Sequence, residues 1–362
     1  MKMVKITDRN WPGIKTMERK TPMKVVSKDS NISRDAAKLL ANALIYDSHC
    51  GVACFPDLDL DFLSRWDRGG ATFISLNVGW DALHWEESLR CAAHYHRWLS
   101  MHPDEYVIVD KVADIYRAKR EGKLAVALDL EGANALNKNI EMIPLYHRLG
   151  IRHMNLAYNK NNEFAGGCTD SEDIPLTALG RAAIAEMNRI GMMVDCTHTG
   201  YRSSMDIMEI SSTPVIFTHS NPRSLWDHKR NIWDDQIKAC AQTGGVVGIV
   251  GVSKFMGDEK DCNSDTFVKH IDYVVNLVGI DHVGLGLDAV LDPQETPKLC
   301  KIYQRFMPIE EAEDWSEQVW NFILPEDFSG IAEGLLARGY GDDDVKKVMG
   351  GNFIRVASQV WG

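Results

Sequence analysis

Six polar residues in this chain fall in one kind of place, at or just beyond the end of a short apolar run. His49 follows Ile45-Tyr46-Asp47, Glu131 ends Ala127-Leu128-Asp129-Leu130, and Tyr158 ends Met154-Asn155-Leu156-Ala157. His198 follows Val194-Asp195-Cys196-Thr197, His219 follows Val215-Ile216-Phe217-Thr218, and Asp288 follows the run Val283–Leu287. Imidazole nitrogens and a carboxylate are ligands for zinc and similar ions, and a zinc with an open position activates water. Any one strand-end histidine alone reads more simply as a hydrogen-bonded structural residue. Two of them, His198 and His219, each closing its own run and joined by Glu131, favour a metal site, with His49 as a fourth ligand. Asp288 is either a loop-former or a proton carrier for the attacking water. The small residues of Gly284-Leu285-Gly286-Leu287 before it let backbone crowd a site, and the catalytic role is preferred. His94, His96, His102, His147 and His270 lie in helical or loop stretches and are assigned to solvated faces.

The elements that must position these groups follow from periodicity. Apolar runs of strand character are Ala43–Tyr46, Ala71–Val78, Leu124–Leu130, His153–Tyr158, Met192–Cys196, Val215–Thr218, Gly245–Val250 and His282–Leu287. Amphipathic stretches such as Ala178–Ile190, Asp234–Thr243 and Asp265–Val278 separate them, and Gly150, Gly191 and Gly279 stand where helix C-caps would. Eight such runs alternating with helices predict parallel strands closed into a (β/α)₈ TIM-type barrel, whose C-terminal strand ends meet at one mouth. A doubly wound open sheet is the alternative, and no Gly-rich phosphate loop follows the first run to support it. Residues 1–35 read as an N-terminal arm, residues 36–362 as one barrel domain, and Glu310–Gly339 as a helical cover.

Bulk properties exclude several partners. With 40 basic and 51 acidic residues the formal charge is −11, which argues against nucleic acid or an anionic membrane as the main partner. The eight cysteines are scattered without CxxC pairs, as in a reducing compartment. The N-terminus lacks the apolar core of a secretion signal, and no run is long enough to span a membrane. A cytoplasmic protein acting on a small molecule is expected.

The chain from about Asp47 onward resembles the renal (membrane) dipeptidase family of the amidohydrolase superfamily. The likeness is carried by Glu186-Met-Asn-Arg-Ile-Gly-Met-Met-Val-Asp-Cys-Thr-His198, Pro214-Val-Ile-Phe-Thr-His-Ser220 and Asp227-His-Lys-Arg-Asn231. Gly279-Ile-Asp-His-Val-Gly-Leu-Gly-Leu-Asp288 and Gly350-Gly-Asn-Phe-Ile-Arg355 are similar as well. The resemblance implies a two-metal site with Glu131 as the bridge, His198 and His219 on one metal, and a His-x-Asp pair on the other. It implies that Arg230 holds a substrate carboxylate, a task suited to a guanidinium fork, and that the protein is a homodimer.

Two positions depart from that pattern. Where the family has His-x-Asp this chain reads His49-Cys50-Gly51, and where it has a further active-site histidine this chain has Tyr158. One zinc per chain, held by Glu131, His198 and His219, is therefore expected, with Cys50 facing away from His49 on an extended segment. Tyr158 keeps a hydroxyl that can steady an oxyanion. The expected activity is metal-dependent hydrolysis of a dipeptide or another carboxylate-bearing amide, with Asp288 moving the proton. A lactone or ester hydrolase, a decarboxylase or lyase in the same mouth, and a barrel that only binds are the alternatives. Selectivity is expected from the loops Cys50–Asp67, Asn159–Pro175 and Lys254–Asp265, with Trp80, His84 and Trp85 packed nearby.

Overall fold

The computed structural model describes residues 33–51, 54, 56–257, 262–289 and 321–361. The arm expected over residues 1–35 lies almost wholly outside them, and a helix begins at Arg34, capped by Ser33. Nine strands are described: β1 Tyr46–Cys50, β2 Phe73–Trp80, β3 Tyr106–Ile108, β4 Leu124–Glu131, β5 Ile151–Asn155, β6 Met193–Asp195, β7 Val215–Phe217, β8 Val246–Ile249 and β9 Val283–Leu285. All pair in parallel, and β2 pairs with β4 while β1 pairs with β9. The ring β1-β2-β4-β5-β6-β7-β8-β9 thus closes as the eight-stranded barrel expected from the apolar runs. Parallel strands buried on both faces need no polar alternation, which is why Leu124–Leu130 reads as a near-continuous apolar run.

Three expectations shift. The first strand is Tyr46–Cys50 rather than Ala43–Tyr46, so His49 lies inside it. The fourth run ends at Asn155, which leaves Tyr158 three residues beyond β5. The short β3, paired only along Leu124–Val126, was not anticipated. Three residues carry too little pattern to separate from a loop.

Helices return the chain between strands, and left-handed glycines end two of them, Gly122 after Val112–Glu121 and Gly191 after Ala178–Ile190. Within the expected cover, the described part forms a helix over Phe328–Ala337, and residues 310–320 lie outside the described set. At the N-terminal end of the barrel, the helix Asn352–Val360 closes the opening. Its Phe353 stacks on Tyr46 at 5.2 Å, and Tyr46 stacks on Phe73 at 3.9 Å. Met193, Ile216 and Val246 join the same apolar cluster.

Register shifts gather at the other end. β1 advances three residues (Asp47 to Cys50) against two of β2, and β2 advances three (Asn77 to Trp80) against two of β4. Such bulges re-aim side chains, here at His49, Asp129 and Glu131.

Candidate active site

Glu131 ends β4 and points into the barrel mouth, and Asp129 lies two residues deeper on the same strand, fully buried. His198 follows β6 with a positive φ of 65°, a left-handed conformation that turns its ring inward. Its Nδ1 sits 2.8 Å from Asn159 Oδ1. His219 follows β7, its Nδ1 2.9 Å from Thr218 Oγ1. Thr218 donates its hydroxyl proton to Asp195 Oδ2 at 2.6 Å, so its oxygen is free to accept from the imidazole. Asp195 Oδ1 also accepts from the backbone N–H groups of Thr197 and Thr218, which fixes both turns. Such partners on the far nitrogen set the tautomer and aim of a metal-binding histidine.

With both Nδ1 atoms donating, the two Nε2 atoms turn their lone pairs toward one point, beside Glu131 Oε1. They lie 3.0 Å apart, and Glu131 Oε1 is 2.9 Å from His198 Nε2 and 3.3 Å from His219 Nε2. Burial holds both imidazoles well below their ordinary range, in the neutral form that ligates. Burial also raises the carboxyl of Glu131. Two imidazole lone pairs and a carboxyl oxygen so close call for a proton or a cation between them. A tetrahedral zinc with bonds near 2.05 Å would place its donors about 3.3 Å apart; the edges here are 2.9, 3.0 and 3.3 Å, so small side-chain shifts would seat the ion. The residues present fit a divalent cation.

His49 stacks on His219 at 4.1 Å, with its Nδ1 3.3 Å from Asp129 Oδ1 and its Nε2 3.4 Å from Glu131 Oε1. Neither nitrogen makes a hydrogen bond, although the ring is fully buried. Burial works against its charge, yet Glu131, Asp129 and Asp288 together outweigh it and raise His49 to about 10. Asp288, also left-handed at φ 52°, brings Oδ1 to 3.8 Å from His49 Nε2, and its backbone N–H donates to the carbonyl of His49. Its carboxyl is raised by burial.

Arg230 is buried beside the cluster, its Nη2 3.3 Å from His198 Nε2 and 3.4 Å from the carbonyl oxygen of His219, to which it donates. It stands in a cleft lined also by Cys168, Asp170, Tyr201 and Lys229. Its loop is pinned by Asn231 Nδ2, which donates to the carbonyls of Trp226 and Phe255. Tyr158 lays its ring on His198 at 4.1 Å, with Trp80 edge-on behind it at 4.9 Å. Its backbone N–H donates to Asp81 Oδ2 at 2.9 Å.

The fold therefore brings together all seven anticipated residues: His49, Glu131, Tyr158, His198, His219, Arg230 and Asp288. Cys50 does not join the clustered donors: its Sγ faces the carbonyl of Ala289, and burial keeps it a thiol. His270, assigned to a solvated face, is instead buried with Nε2 on the carbonyl of Met256. The reading missed Asp129, Asp195, Asn159 and Asp81, and with them His153, whose Nε2 lies 2.9 Å from Ser75 Oγ. Asp129 had a signal, since it shares the inward face with Glu131 at a spacing of two.

A closed parallel barrel with buried imidazoles and carboxylates converging at its C-terminal mouth defines a class: barrel proteins with a metal-binding mouth. The model of the membrane dipeptidase family, peptidase family M19, matches residues 20–303, and this chain belongs to that family. The dipeptidase tcpJ of Claviceps purpurea is 30% identical over 73% of this chain and 57% of its own length. The chain thus spans less than two thirds of the curated relatives it matches, 59% for the dipeptidase aclJ of Aspergillus oryzae. Among solved structures, an amidohydrolase from Pseudomonas aeruginosa is 26% identical with a TM-score of 0.80, over 90% of this chain and 99% of that one. A metallopeptidase from Rhodobacter sphaeroides, solved with a phosphinate mimic of the dipeptide L-Ala-D-Ala, shares the fold at a TM-score of 0.70 and 19% identity. That likeness covers 88% of this chain and 99% of the other. No helix among the described residues is long and apolar enough to cross a membrane.

Proposed function

We propose that this chain is a metal-dependent dipeptidase, hydrolysing a dipeptide or a closely related amide that bears a free carboxylate. The observation that carries the reading is the convergence of Glu131 Oε1, His198 Nε2 and His219 Nε2 at 2.9–3.3 Å, with a buried guanidinium beside them. Family membership and the dipeptide mimic bound by the Rhodobacter sphaeroides protein support it. Glu131, His198 and His219 would hold one zinc ion, which supplies Lewis-acid chemistry that activates water and polarises a carbonyl.

The rest falls to the chain itself. Arg230 presents a planar donor fork to the substrate carboxylate and so sets which amide bond lies over the cluster. Asp288, at the rim with a carboxyl raised by burial, takes a proton from the attacking water and returns it to the leaving amine. Tyr158, stacked on His198, offers its phenol to the developing oxyanion. The reading extends to a cytoplasmic homodimer; the free state of every described cysteine is in keeping with a reducing compartment.

The test is hydrolysis of a panel of dipeptides and N-acyl amino acids by the zinc-loaded protein, by the chelator-stripped protein, and by His219→Ala and Asp288→Asn. Zinc-dependent cleavage that both substitutions abolish is expected. Activity indifferent to zinc and to both substitutions would overturn the proposal.

A further inference from the structure

Asp81 follows β2 directly and links two of the residues assigned to chemistry. Its backbone N–H donates to the carbonyl of Glu131 at 3.1 Å, which ties it to the end of β4. Its carboxylate accepts from two further segments. Oδ1 takes the backbone N–H of Asn134 at 2.9 Å, and Oδ2 takes the backbone N–H of Tyr158 at 2.9 Å and the side-chain amide of Asn162 at 2.8 Å. Asn134 Nδ2 returns a hydrogen bond to the carbonyl of Asp81. All of these bonds but the one to Asn162 engage main chain, so together they fix the paths of loops. A carboxylate suits the place because it only accepts, and an amide there would turn a donor toward one of the N–H groups.

The loop so held carries Tyr158. Asn162 Nδ2 also donates to the carbonyl of Leu156 at 2.7 Å, and its Oδ1 accepts from the backbone N–H groups of Phe164 and Ala165. The turn from Leu156 to Ala165 is thus knotted around one amide, and Asp81 anchors that knot from outside the loop. On this anchor the ring of Tyr158 lies against His198 at 4.1 Å, and Trp80, the neighbour of Asp81, meets it edge-on at 4.9 Å. We infer that Asp81 is a positioning residue for the reaction: by holding the main chain of Tyr158 and of Glu131 in one frame, it sets where the phenol stands relative to the cation site. The inference rests on the role proposed above for Tyr158. Asp81 acts through that residue and not on the reacting atoms.

The test is a double-mutant cycle on the zinc-loaded, full-length protein. Tyr158→Phe should lower kcat by ~100-fold, as loss of one oxyanion donor does. Asp81→Asn should lower kcat by up to ~100-fold with KM and zinc content near those of wild type, since a misplacement of ~1 Å suffices for that. Added to Tyr158→Phe, it should lower kcat no further. Equal effects of Asp81→Asn in the two backgrounds, or an unchanged kcat in Asp81→Asn alone, would overturn the inference. If Asp81→Asn does not fold, Asn162→Ala, which removes one of the donors, takes its place in the cycle with the same expectation. A second readout needs no turnover: fluorotyrosine placed at position 158 is followed by fluorine NMR. The ring-current shift from His198 should be present in the wild-type background and lost with Asp81→Asn, and a resonance unmoved by that substitution would overturn the inference. A shift lost in Asp81→Asn, with no panel substrate hydrolysed by wild type, would sink the proposed activity and leave the placement of Tyr158 by Asp81 standing.

Discussion

The two mouths of the barrel are built by the same strands and share almost no chemistry. At the N-terminal mouth, Tyr46, Phe73, Met193, Val246 and Phe353 pack as a dry apolar plug. At the C-terminal mouth, those strands and the loops after them deliver His49, Glu131, His198, His219, Asp288 and Arg230, and Asp129, Asp195 and His153 lie buried just beneath. Apolar contact there gives way to close-set carboxylates and imidazoles, an arrangement that costs stability unless its charges are compensated. Three of the five non-glycine residues with positive φ among the described residues, Asn159, His198 and Asp288, lie at this mouth. Backbone strain of that kind persists where surrounding structure holds it and chemistry uses it. One end of the barrel carries stability and the other carries function.

That division can be broken by substitution, and the largest effect is expected from His219→Ala. It should remove tight metal and lower kcat/KM by at least ~100-fold, since even residues that merely orient ligands are worth ~10–100-fold. Its melting temperature in the absence of metal should stay near that of wild type. Phe353→Ala is the mirror experiment: a loss of about 3–5 kcal/mol in denaturant unfolding, with one tight zinc per folded chain retained. A Phe353 variant that loses zinc while still folded would show that the two mouths are coupled.

Asp195→Asn sharpens the comparison from within the polar end. The residue touches no metal ligand directly but anchors Thr218 and both turns, so zinc affinity should fall by ~10–100-fold on competitive chelation. Arg230→Lys should raise KM for carboxylate-bearing substrates by ~10–100-fold, since a charge-assisted hydrogen bond contributes ~1.5–3 kcal/mol. The same change should leave KM for the corresponding amide-capped substrates nearly unaltered. The smallest effect is expected at Gly122, where φ is 65° and nothing lies within 4 Å of an added Cβ. Gly122→Ala should cost about 1–2 kcal/mol from the left-handed conformation alone, with metal content and turnover untouched.

Much of the barrel was legible because a strand buried on both faces is an apolar run, and glycines such as Gly191 punctuate the helices between. His198, His219 and Glu131 were legible because each polar residue breaks such a run at its end. The layer beneath them was harder to see: Asp195 sits inside an apolar run and His153 lies within β5, where a polar residue looks like noise, and Asp129 was marked only by its spacing of two from Glu131. Only the fold shows that they face one another across the barrel. Asn159 belongs to a loop without periodicity, and its link to the site is the contact of its Oδ1 with His198 and Cys168. Gly51 was readable as a departure, but only the fold shows that Asp288, distant in sequence, lies beside it.

The most direct test of the metal centre is metal analysis of wild type and His198→Ala after exhaustive dialysis at neutral pH. One zinc per wild-type chain, with the ion lost from the folded variant, is the expected result. Wild-type protein that is folded and holds no divalent ion, or a variant that holds as much as wild type, would contradict the account.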